Sequence, residues 1–151
     1  MFRGRYEHTI DGKGRTSLPA RYREVLNSSK GTRLVITTAL LDPCLLAYPL
    51  EEWEAFEARL AALPSFDRSV TQLRRMCVSG AVECDLDKLG RVLLPASLRE
   101  YAGLSRELVW AGVGPHIELW AKDRFDKVSS EALADEDKRN EMARRLAELG
   151  L

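Results

Sequence analysis

One ten-residue motif occurs twice in the sequence, and this repetition constrains the fold more than any other feature. Residues 11–20, DGKGRTSLPA, return 76 positions later as residues 87–96, DKLGRVLLPA. The Asp, Gly, Arg, Leu, Pro and Ala recur at the same relative places, and Arg23-Glu24 returns as Arg99-Glu100. Two copies are too few for a solenoid. They predict two similar units packed about a pseudo-two-fold axis.

The first copy predicts a β-hairpin whose tip presents two cations. Residues 6–10 are rich in β-branched and aromatic side chains, which favour a strand. The Asp-Gly pair at 11–12 indicates a tight turn, because glycine adopts positive φ without a steric cost. Gly14 supplies a second permissive position. The tip would present Lys13 and Arg15 on a stiff support.

The remaining pattern repeats this order of strands and helices. Proline at 19 and 95 suits the first turn of a helix, where its missing N–H is not needed. Hydrophobic spacing and turn residues predict the other elements. Strands are expected at 34–38, 45–48, 108–111 and 117–120, a loop at 27–31, and helices at 20–26, 51–63, 68–78, 96–101 and from about 123, with a further helical tail from 129 to 151.

Charge is distributed unevenly along a chain that is neutral as a whole. The 151 residues include 23 Lys/Arg and 23 Asp/Glu, so the formal net charge is zero. Residues 1–40 hold eight basic and three acidic side chains, a net charge of +5. This basic segment predicts a localised anion-binding face. The alternative from charge alone is a solvated surface with no partner.

The three cysteines predict a reducing compartment. Cys44, Cys77 and Cys84 give an odd count without a CxxC pair or a secretory leader. We expect them to act as small hydrophobic side chains in a cytoplasmic protein. No apolar run approaches the roughly 20 residues of a membrane span, so no membrane association is predicted.

Catalytic and metal-binding patterns find little support in the sequence. Ser17 is not in a Gly-x-Ser-x-Gly elbow, and His8 and His116 fall in different units. Cys77, Cys84 and a histidine match no zinc spacing. A Walker-type loop would open a helix, whereas residues 12–15 open a strand. We predict no catalytic residue, metal, cofactor or small-molecule substrate.

DNA binding has the stronger physical case. Arg15 offers a planar donor fork that pairs bidentately with guanine, and Lys13 is a point charge suited to phosphate. The alternative for Arg15 is an ion pair with Asp11, and the two roles can coexist if Asp11 orients the guanidinium. Further phosphate contacts are expected from arginines that flank the hairpin: Arg3, Arg5, Arg21 and Arg23.

The second motif differs from the first at its tip. Lys88 and Leu89 replace Gly12 and Lys13, so its loop is expected to be less permissive, and acidic residues lie nearby in the sequence. We therefore predict that the first motif makes the leading DNA contacts and that Arg91 has a supporting or structural role. Loop geometry and orientation are assigned to five residues: Asp11, Gly12, Gly14, Asp87 and Gly90.

These residues resemble a known family. Residues 1–4 (MFRG), 11–15 (DGKGR) and 19–23 (PARYR) are similar to the MraZ family of bacterial transcriptional regulators. The paired Asp-x-x-x-Arg motifs resemble that family's two AbrB-like (SpoVT-AbrB, swapped-hairpin) repeats. The resemblance covers essentially the whole chain. It implies an α+β fold in which the repeats form an internal pseudo-dimeric, β-barrel-like core with peripheral helices.

The resemblance also implies a biological role and an organisation of the chain. It implies a repressor of its own operon in the bacterial division and cell-wall cluster, acting on the nucleoid as a ring-shaped homo-oligomer. Several weakly binding protomers would best match short direct repeats in promoter DNA, spaced roughly 10 base pairs apart. The alternative is an antitoxin-like, AbrB-related module whose tail wraps a partner protein. The expected domains are repeat 1 at 5–52, a helical connector at 53–80, repeat 2 at 81–124 and a helical tail at 125–151.

Overall fold

Two units make up the chain, residues 1–121 and residues 122–151. The computed structural model describes residues 1–28 and 31–151. Part of the loop expected at 27–31, Ser29 and Lys30, lies outside the described residues. The first unit contains both copies of the repeated motif and all of the strands that the structure describes.

The secondary structure repeats along the chain, as the sequence predicts. The first copy comprises β1 (Arg5–Thr9), β2 (Arg15–Ser17), α1 (Ala20–Asn27), β3 (Arg33–Thr38), β4 (Leu45–Pro49) and α2 (Leu50–Ala61). The connector is α3 (Arg68–Leu73), which continues as a π-helical turn at Arg74–Val78. The second copy comprises β5 (Val82–Asp85), β6 (Arg91–Leu93), α4 (Ala96–Ala102), β7 (Glu107–Gly112) and β8 (Ile117–Ala121), followed by α5 (Lys122–Ala134) and α6 (Glu136–Glu148).

Prolines define three of the helix starts. Pro19, Pro49 and Pro95 occupy the N-cap positions of α1, α2 and α4, with φ of −51°, −55° and −59°. Each stands one residue before the helix, not inside its first turn. At the other end of α4, Gly103 adopts the left-handed conformation with φ of 64°, which ends the helix. These local signals explain why the helix positions could be read from the sequence.

The two repeats exchange their first strands. The six-stranded antiparallel sheet has the order β1-β7-β8-β4-β3-β5, so β1 of repeat 1 pairs with β7 of repeat 2, and β5 of repeat 2 pairs with β3 of repeat 1. At the centre, β4 pairs with β8 and places Leu46 opposite Glu118. This arrangement confirms an α+β fold built from two repeats related by a pseudo-two-fold axis.

The expected hairpin and the expected barrel both differ in detail from the structure. The arms of the first hairpin are joined by the isolated bridge between Ile10 and Thr16, where the Asp11 N–H donates to the Arg15 carbonyl at 2.9 Å, and β2 pairs along its length with β6 in a separate two-stranded ribbon. In the part of the chain that the structure describes, the main sheet stays open between its edge strands β1 and β5. It is not a closed barrel, because β1 and β5 do not pair with each other, but its core sheet is consistent with the expected arrangement of the two repeats.

Both repeats contribute to one hydrophobic core. Leu18 and its repeat equivalent Leu94 are buried, as is Trp110. Tyr22 packs edge-to-face on Phe2, with ring centroids 5.4 Å apart, and its hydroxyl donates to the Gly4 carbonyl at 2.6 Å. Since strands and core side chains come from both halves, neither repeat can complete its packing alone.

The cysteines are free thiols with differing burial. Cys44 and Cys84 are buried, and Cys77 is half-buried. Burial raises the pKa of Cys44 to about 12 and that of Cys84 to about 11. These two thiols therefore stay protonated at neutral pH and pack as small apolar groups.

The second unit is a pair of helices, α5 and α6. The single tail helix expected over residues 129–151 is interrupted at Asp135, whose carboxylate caps α6 by accepting from the Lys138 N–H at 3.2 Å. Leu133, Met142 and Leu146 are exposed. Among the described residues, no helix has both the length and the apolar character that crossing a membrane requires.

Candidate nucleic-acid interface

Each Asp-x-x-x-Arg motif folds into a loop built around its aspartate. In the first loop, residues 11–14, Asp11 Oδ1 accepts from the N–H groups of Lys13 and Arg15, both at 2.9 Å. Its Oδ2 accepts from Arg15 Nε at 2.8 Å. The Gly14 N–H donates to the Asp11 carbonyl at 3.0 Å and closes the turn. An aspartate that bonds the backbone in this way fixes both the loop and the arginine after it.

The second loop, residues 87–90, repeats this geometry. Asp87 Oδ1 accepts from the N–H groups of Leu89 and Arg91 at 2.9 Å, and its Oδ2 accepts from Arg91 Nε at 2.8 Å. The Arg15–Asp11 ion pair that the sequence offered as an alternative is therefore present, and it has an exact counterpart in the second repeat. In both loops the aspartate orients the guanidinium.

Hydrogen bonds lower the pKa of both loop aspartates. The pKa of Asp11 lies below its ordinary value of 3.8, chiefly because the Arg15 N–H bonds its carboxylate. The pKa of Asp87 is lowered for the same reason by Arg91. Both carboxylates are charged at neutral pH and can hold their arginines.

Gly14 and Gly90 are the loop residues whose backbone conformation favours glycine. Their φ angles are 87° and 75°, in the region that side-chain-bearing residues rarely adopt. Gly12 has no such φ, and a Cβ there would meet nothing within 4 Å. The sequence interpretation that Gly12 needs positive φ is thus wrong. Lys88 at the equivalent position leaves the second loop as regular as the first.

The β2–β6 ribbon carries both arginines on one face. Arg15 lies opposite Leu93, and Ser17 lies opposite Arg91, while the side chains between them, Thr16 and Val92, are buried. We call the outward side chains Arg15, Ser17, Arg91 and Leu93 the ribbon face. Diagonal neighbours on such a face lie about 7–8 Å apart, so the structure brings Arg15 and Arg91 together. The two loops stand at opposite ends of the ribbon.

Each loop is also bonded to the other repeat. The Leu94 N–H donates to the Gly14 carbonyl at 2.8 Å, and the Leu18 N–H donates to the Gly90 carbonyl at 2.9 Å. These bonds extend the ribbon at both ends. The first loop is therefore held by the residue that follows β6, and the second loop by the residue that follows β2.

Two helix arginines pack across the repeats in the same way. Arg23 of α1 donates from Nη1 to the Leu89 carbonyl at 3.3 Å, in the second loop. Arg99 of α4 donates from Nε to the Leu94 carbonyl at 3.1 Å and lies against Gly14 of the first loop. Sequence reasoning missed Arg99. The signal that could have found it was its equivalence to Arg23 in the repeat.

The other arginines proposed from the sequence lie in different surroundings. Arg3 and Arg5 are exposed at the start of β1, where the preceding segment pairs with Gly114. Arg5 is the first residue of β1 in the main sheet and Arg3 precedes it, so neither belongs to the β2–β6 ribbon. Arg21, in the first turn of α1, pairs with Glu24 at 2.8 Å.

The acidic residues near the second motif are partly balanced by arginine. Glu83 and Asp85 on β5 both bond Arg33 of β3, at 3.0 and 2.9 Å. Arg23 adds a further cation beside the second loop. The two motifs carry the same charges, one Asp, one Lys and one Arg each, and differ in the position of the lysine, which is Lys13 in the first loop and Lys88 in the second.

Chemistry of other kinds has little support in the described residues. No group of three His, Cys, Asp or Glu side chains among them is placed to hold a metal ion. His116 stacks on Tyr48, with ring centroids 4.6 Å apart, and burial lowers its pKa. This histidine is a packed aromatic side chain.

Comparison with known proteins identifies the relatives of this chain. Residues 1–76 and 77–148 each match the family described as "MraZ protein, putative antitoxin-like". The chain is 45% identical over 151 residues to "Transcriptional regulator MraZ" from Pelotomaculum thermopropionicum, covering all of this chain and 99% of that protein. It is 46% identical to the protein of that name from Desulfitobacterium hafniense and 44% identical to the one from Thioalkalivibrio sulfidiphilus, in both cases over the full length of the two chains.

Proposed function

Because the chain belongs to the MraZ family, we propose that it is a transcriptional regulator that binds specific DNA sequences through the β2–β6 ribbon. Its relatives carry the name of transcriptional regulators and not of enzymes. The site proposed here is the ribbon face together with the two loops at its ends.

The observation that carries this proposal is the pair of oriented guanidinium groups of Arg15 and Arg91. In each, Nε is bonded to the loop aspartate, and among the described residues the structure gives the two Nη groups no partner. A two-stranded ribbon fits the major groove, where an arginine bonds guanine O6 and N7 through two donors. The aspartates reduce the entropy that the arginines would lose on binding.

The cations around the ribbon face can contact the phosphate backbone of DNA. Lys13 at the tip of the first loop is exposed and suits a phosphate. We propose further phosphate contacts from four arginines whose roles remain predictions: Arg3, Arg5, Arg21 and Arg23. Arg3 and Arg5 lie outside the ribbon, and we propose that they contact DNA that extends past it. Of the residues assigned to loop geometry, Asp11, Gly14, Asp87 and Gly90 keep that role in this proposal, and Gly12 does not.

We further propose that the protein represses its own operon as a ring-shaped homo-oligomer in the cytoplasm, on the nucleoid. One ribbon contacts only a few base pairs, so useful affinity requires several protomers that bind at once. Such an array matches short direct repeats about one helical turn apart. The expected domain boundaries, 5–52, 53–80, 81–124 and 125–151, also stay proposals.

A binding experiment tests the central claim. The protein is titrated onto DNA from directly upstream of its own gene and onto a shuffled duplex of the same composition, over a series of salt concentrations. We expect tighter binding to the upstream DNA, a footprint with a repeat of about one helical turn, and a linear fall of log affinity with log salt. Equal affinity for the two duplexes contradicts a sequence-specific regulator.

Light scattering tests the assembly separately. We expect a particle well above the mass of a dimer at micromolar protein concentration. A 17.0 kDa monomer under these conditions would contradict the ring and leave the ribbon proposal standing.

The second candidate function is an antitoxin-like module that binds a partner protein. Its support is the wording of the family description and three exposed apolar side chains, Met142 and Leu146 of α6 and Leu149 at its C-cap. A protein that co-purifies in fixed proportion, together with absence of salt-sensitive DNA binding, favours this candidate over the regulator.

A further inference from the structure

The two halves of the ribbon have the same backbone but different side chains. Ser17 and Leu93 are repeat equivalents, since each lies two residues after its motif arginine, and both belong to the ribbon face. At the loop tips, Lys13 is the equivalent of Leu89. On the ribbon face, the half from repeat 1 thus carries a serine two residues after its arginine, and the half from repeat 2 carries a leucine.

Leu93 is placed differently from a core leucine. Leu93 is 59% exposed, although it is a ladder residue of the ribbon and lies directly opposite Arg15. The neighbouring Val92 is fully buried and supplies the packing of this strand. Leu93 contributes its carbonyl to the fold, as an acceptor for Cys84 Sγ at 3.8 Å. Packing within this unit therefore does not explain an apolar side chain here.

The major groove of DNA contains an apolar group that an exposed leucine can contact. Base edges there present hydrogen-bond donors and acceptors, and the apolar group among them is the 5-methyl of thymine. Leu93 is exposed and shares the ribbon face with Arg15 and Arg91, the two arginines proposed to contact bases. A leucine in this position can cover the methyl group of a neighbouring thymine. We propose that Leu93 is a specificity-determining residue that contacts a thymine 5-methyl group. This inference rests on the proposed function.

One consequence concerns the symmetry of the DNA site. A ribbon with true two-fold symmetry would read an inverted repeat, since each half would contact the same bases. With serine at 17 and leucine at 93, the two halves prefer different bases. Each protomer then reads an asymmetric sequence and binds in one direction, which suits sites arranged as direct repeats.

The test removes single methyl groups from the DNA. A duplex enriched from a random pool by the wild-type protein is remade with deoxyuridine at one thymine at a time, and the affinity of each version is measured. For wild type, we expect one position in each protomer's site where loss of the methyl weakens binding about fourfold, the effect of uncovering one carbon. At that position the Leu93→Ser variant, which carries the side chain of Ser17, should bind both duplexes equally.

Leu41→Ser is the matched control, because Leu41 is 91% exposed and lies outside the ribbon. This variant should keep the full sensitivity to deoxyuridine. Failure of the pool to enrich any sequence would overturn the proposed function itself. Enrichment with equal deoxyuridine sensitivity in wild type and Leu93→Ser would overturn only the role of Leu93. A lower particle mass for Leu93→Ser, with unchanged methyl sensitivity, would assign Leu93 to a contact between protomers instead.

Discussion

The N–H of Leu94, in the second repeat, donates a 2.8 Å hydrogen bond to the carbonyl of Gly14, in the first repeat's loop. The equivalent bond under the pseudo-two-fold axis joins the Leu18 N–H to the Gly90 carbonyl at 2.9 Å. Neither loop is therefore an independent hairpin tip. The geometry that orients Arg15 depends on residues about 80 positions away along the chain, so the recognition surface and the packing of the repeats form together.

Replacement of Gly14 by alanine should destabilise the protein. A Cβ there would stand 2.8 Å from the Leu94 carbonyl oxygen, and φ of 87° is unfavourable for alanine. We expect a loss of about 2 kcal/mol in the free energy of unfolding, measured by urea denaturation. Gly12→Ala is the control: its Cβ would meet nothing within 4 Å, so its stability should equal or slightly exceed that of wild type. Equal effects from both substitutions would contradict this account of the loop.

Arg15→Ala should abolish specific DNA binding while the fold is retained. The loss of one bidentate contact corresponds to about 1–3 kcal/mol of discrimination per protomer, and several protomers in one assembly multiply it. Arg91→Ala should also weaken specific binding, but less, because the second tip carries Leu89 where the first carries Lys13. Isotherms on the upstream and shuffled duplexes, with a thermal melt of each variant, measure both effects. If Arg15→Ala binds like wild type, the base-reading residues lie elsewhere.

Lys13→Ala should weaken binding to all sequences alike and make the salt dependence shallower. Each phosphate contact that is lost removes about 0.9 from the slope of log affinity against log salt. Leu89→Lys places a cation at the equivalent tip and should steepen the slope by a similar amount. A salt series on the shuffled duplex reports both changes. Unchanged slopes would indicate that neither tip reaches the DNA backbone.

The loop aspartates should keep their charge well into acid. In the folded state the pKa of Asp11 and Asp87 is lowered from 3.8. Their contribution to stability is therefore complete above about pH 4 and is lost as pH falls through the lowered value. Carboxyl NMR titration should show both midpoints below 3.8, and Asp11→Asn should remove one of them. DNA binding should not change between pH 5 and pH 8 through these groups; a midpoint at or above 3.8 would contradict the hydrogen-bonded loop.

Thr16→Val should stabilise the protein. Thr16 is 2% exposed, and its hydroxyl has no hydrogen-bond partner in the structure, whereas its cross-strand neighbour and repeat equivalent is Val92. Removal of an unsatisfied buried hydroxyl should add about 1 kcal/mol to the free energy of unfolding. Thr37→Val is the matched control, because Thr37 is equally buried but donates to the Cys77 carbonyl at 2.7 Å. Thr37→Val should lose about 1 kcal/mol of the free energy of unfolding. In thermal melts, we expect Thr16→Val to unfold at a higher temperature than wild type and Thr37→Val at a lower one.

Local chemistry made much of this protein readable from its sequence. The duplicated motif predicted two related units, and proline placed before each helix predicted where α1 and α4 begin. The Asp-x-x-x-Arg spacing indicated the ion pair in each motif, because aspartate bonds the backbone two and four residues later within a single turn. These features depend on neighbours along the chain, and the structure contains them close to their expected positions.

Only the tertiary structure decided which strands and loops meet. The exchange of β1 and β5 between repeats, the pairing of β2 with β6 and the approach of Arg99 to Gly14 join residues far apart in the sequence. No local pattern encodes such contacts, because they arise when both halves bury one shared core. The same packing places Arg15, Arg91 and Leu93 on a single face and places Arg5 in β1, which pairs with β7 in the main sheet. The sequence by itself determined the groups available to bind DNA, and the shared core determined which of them stand side by side.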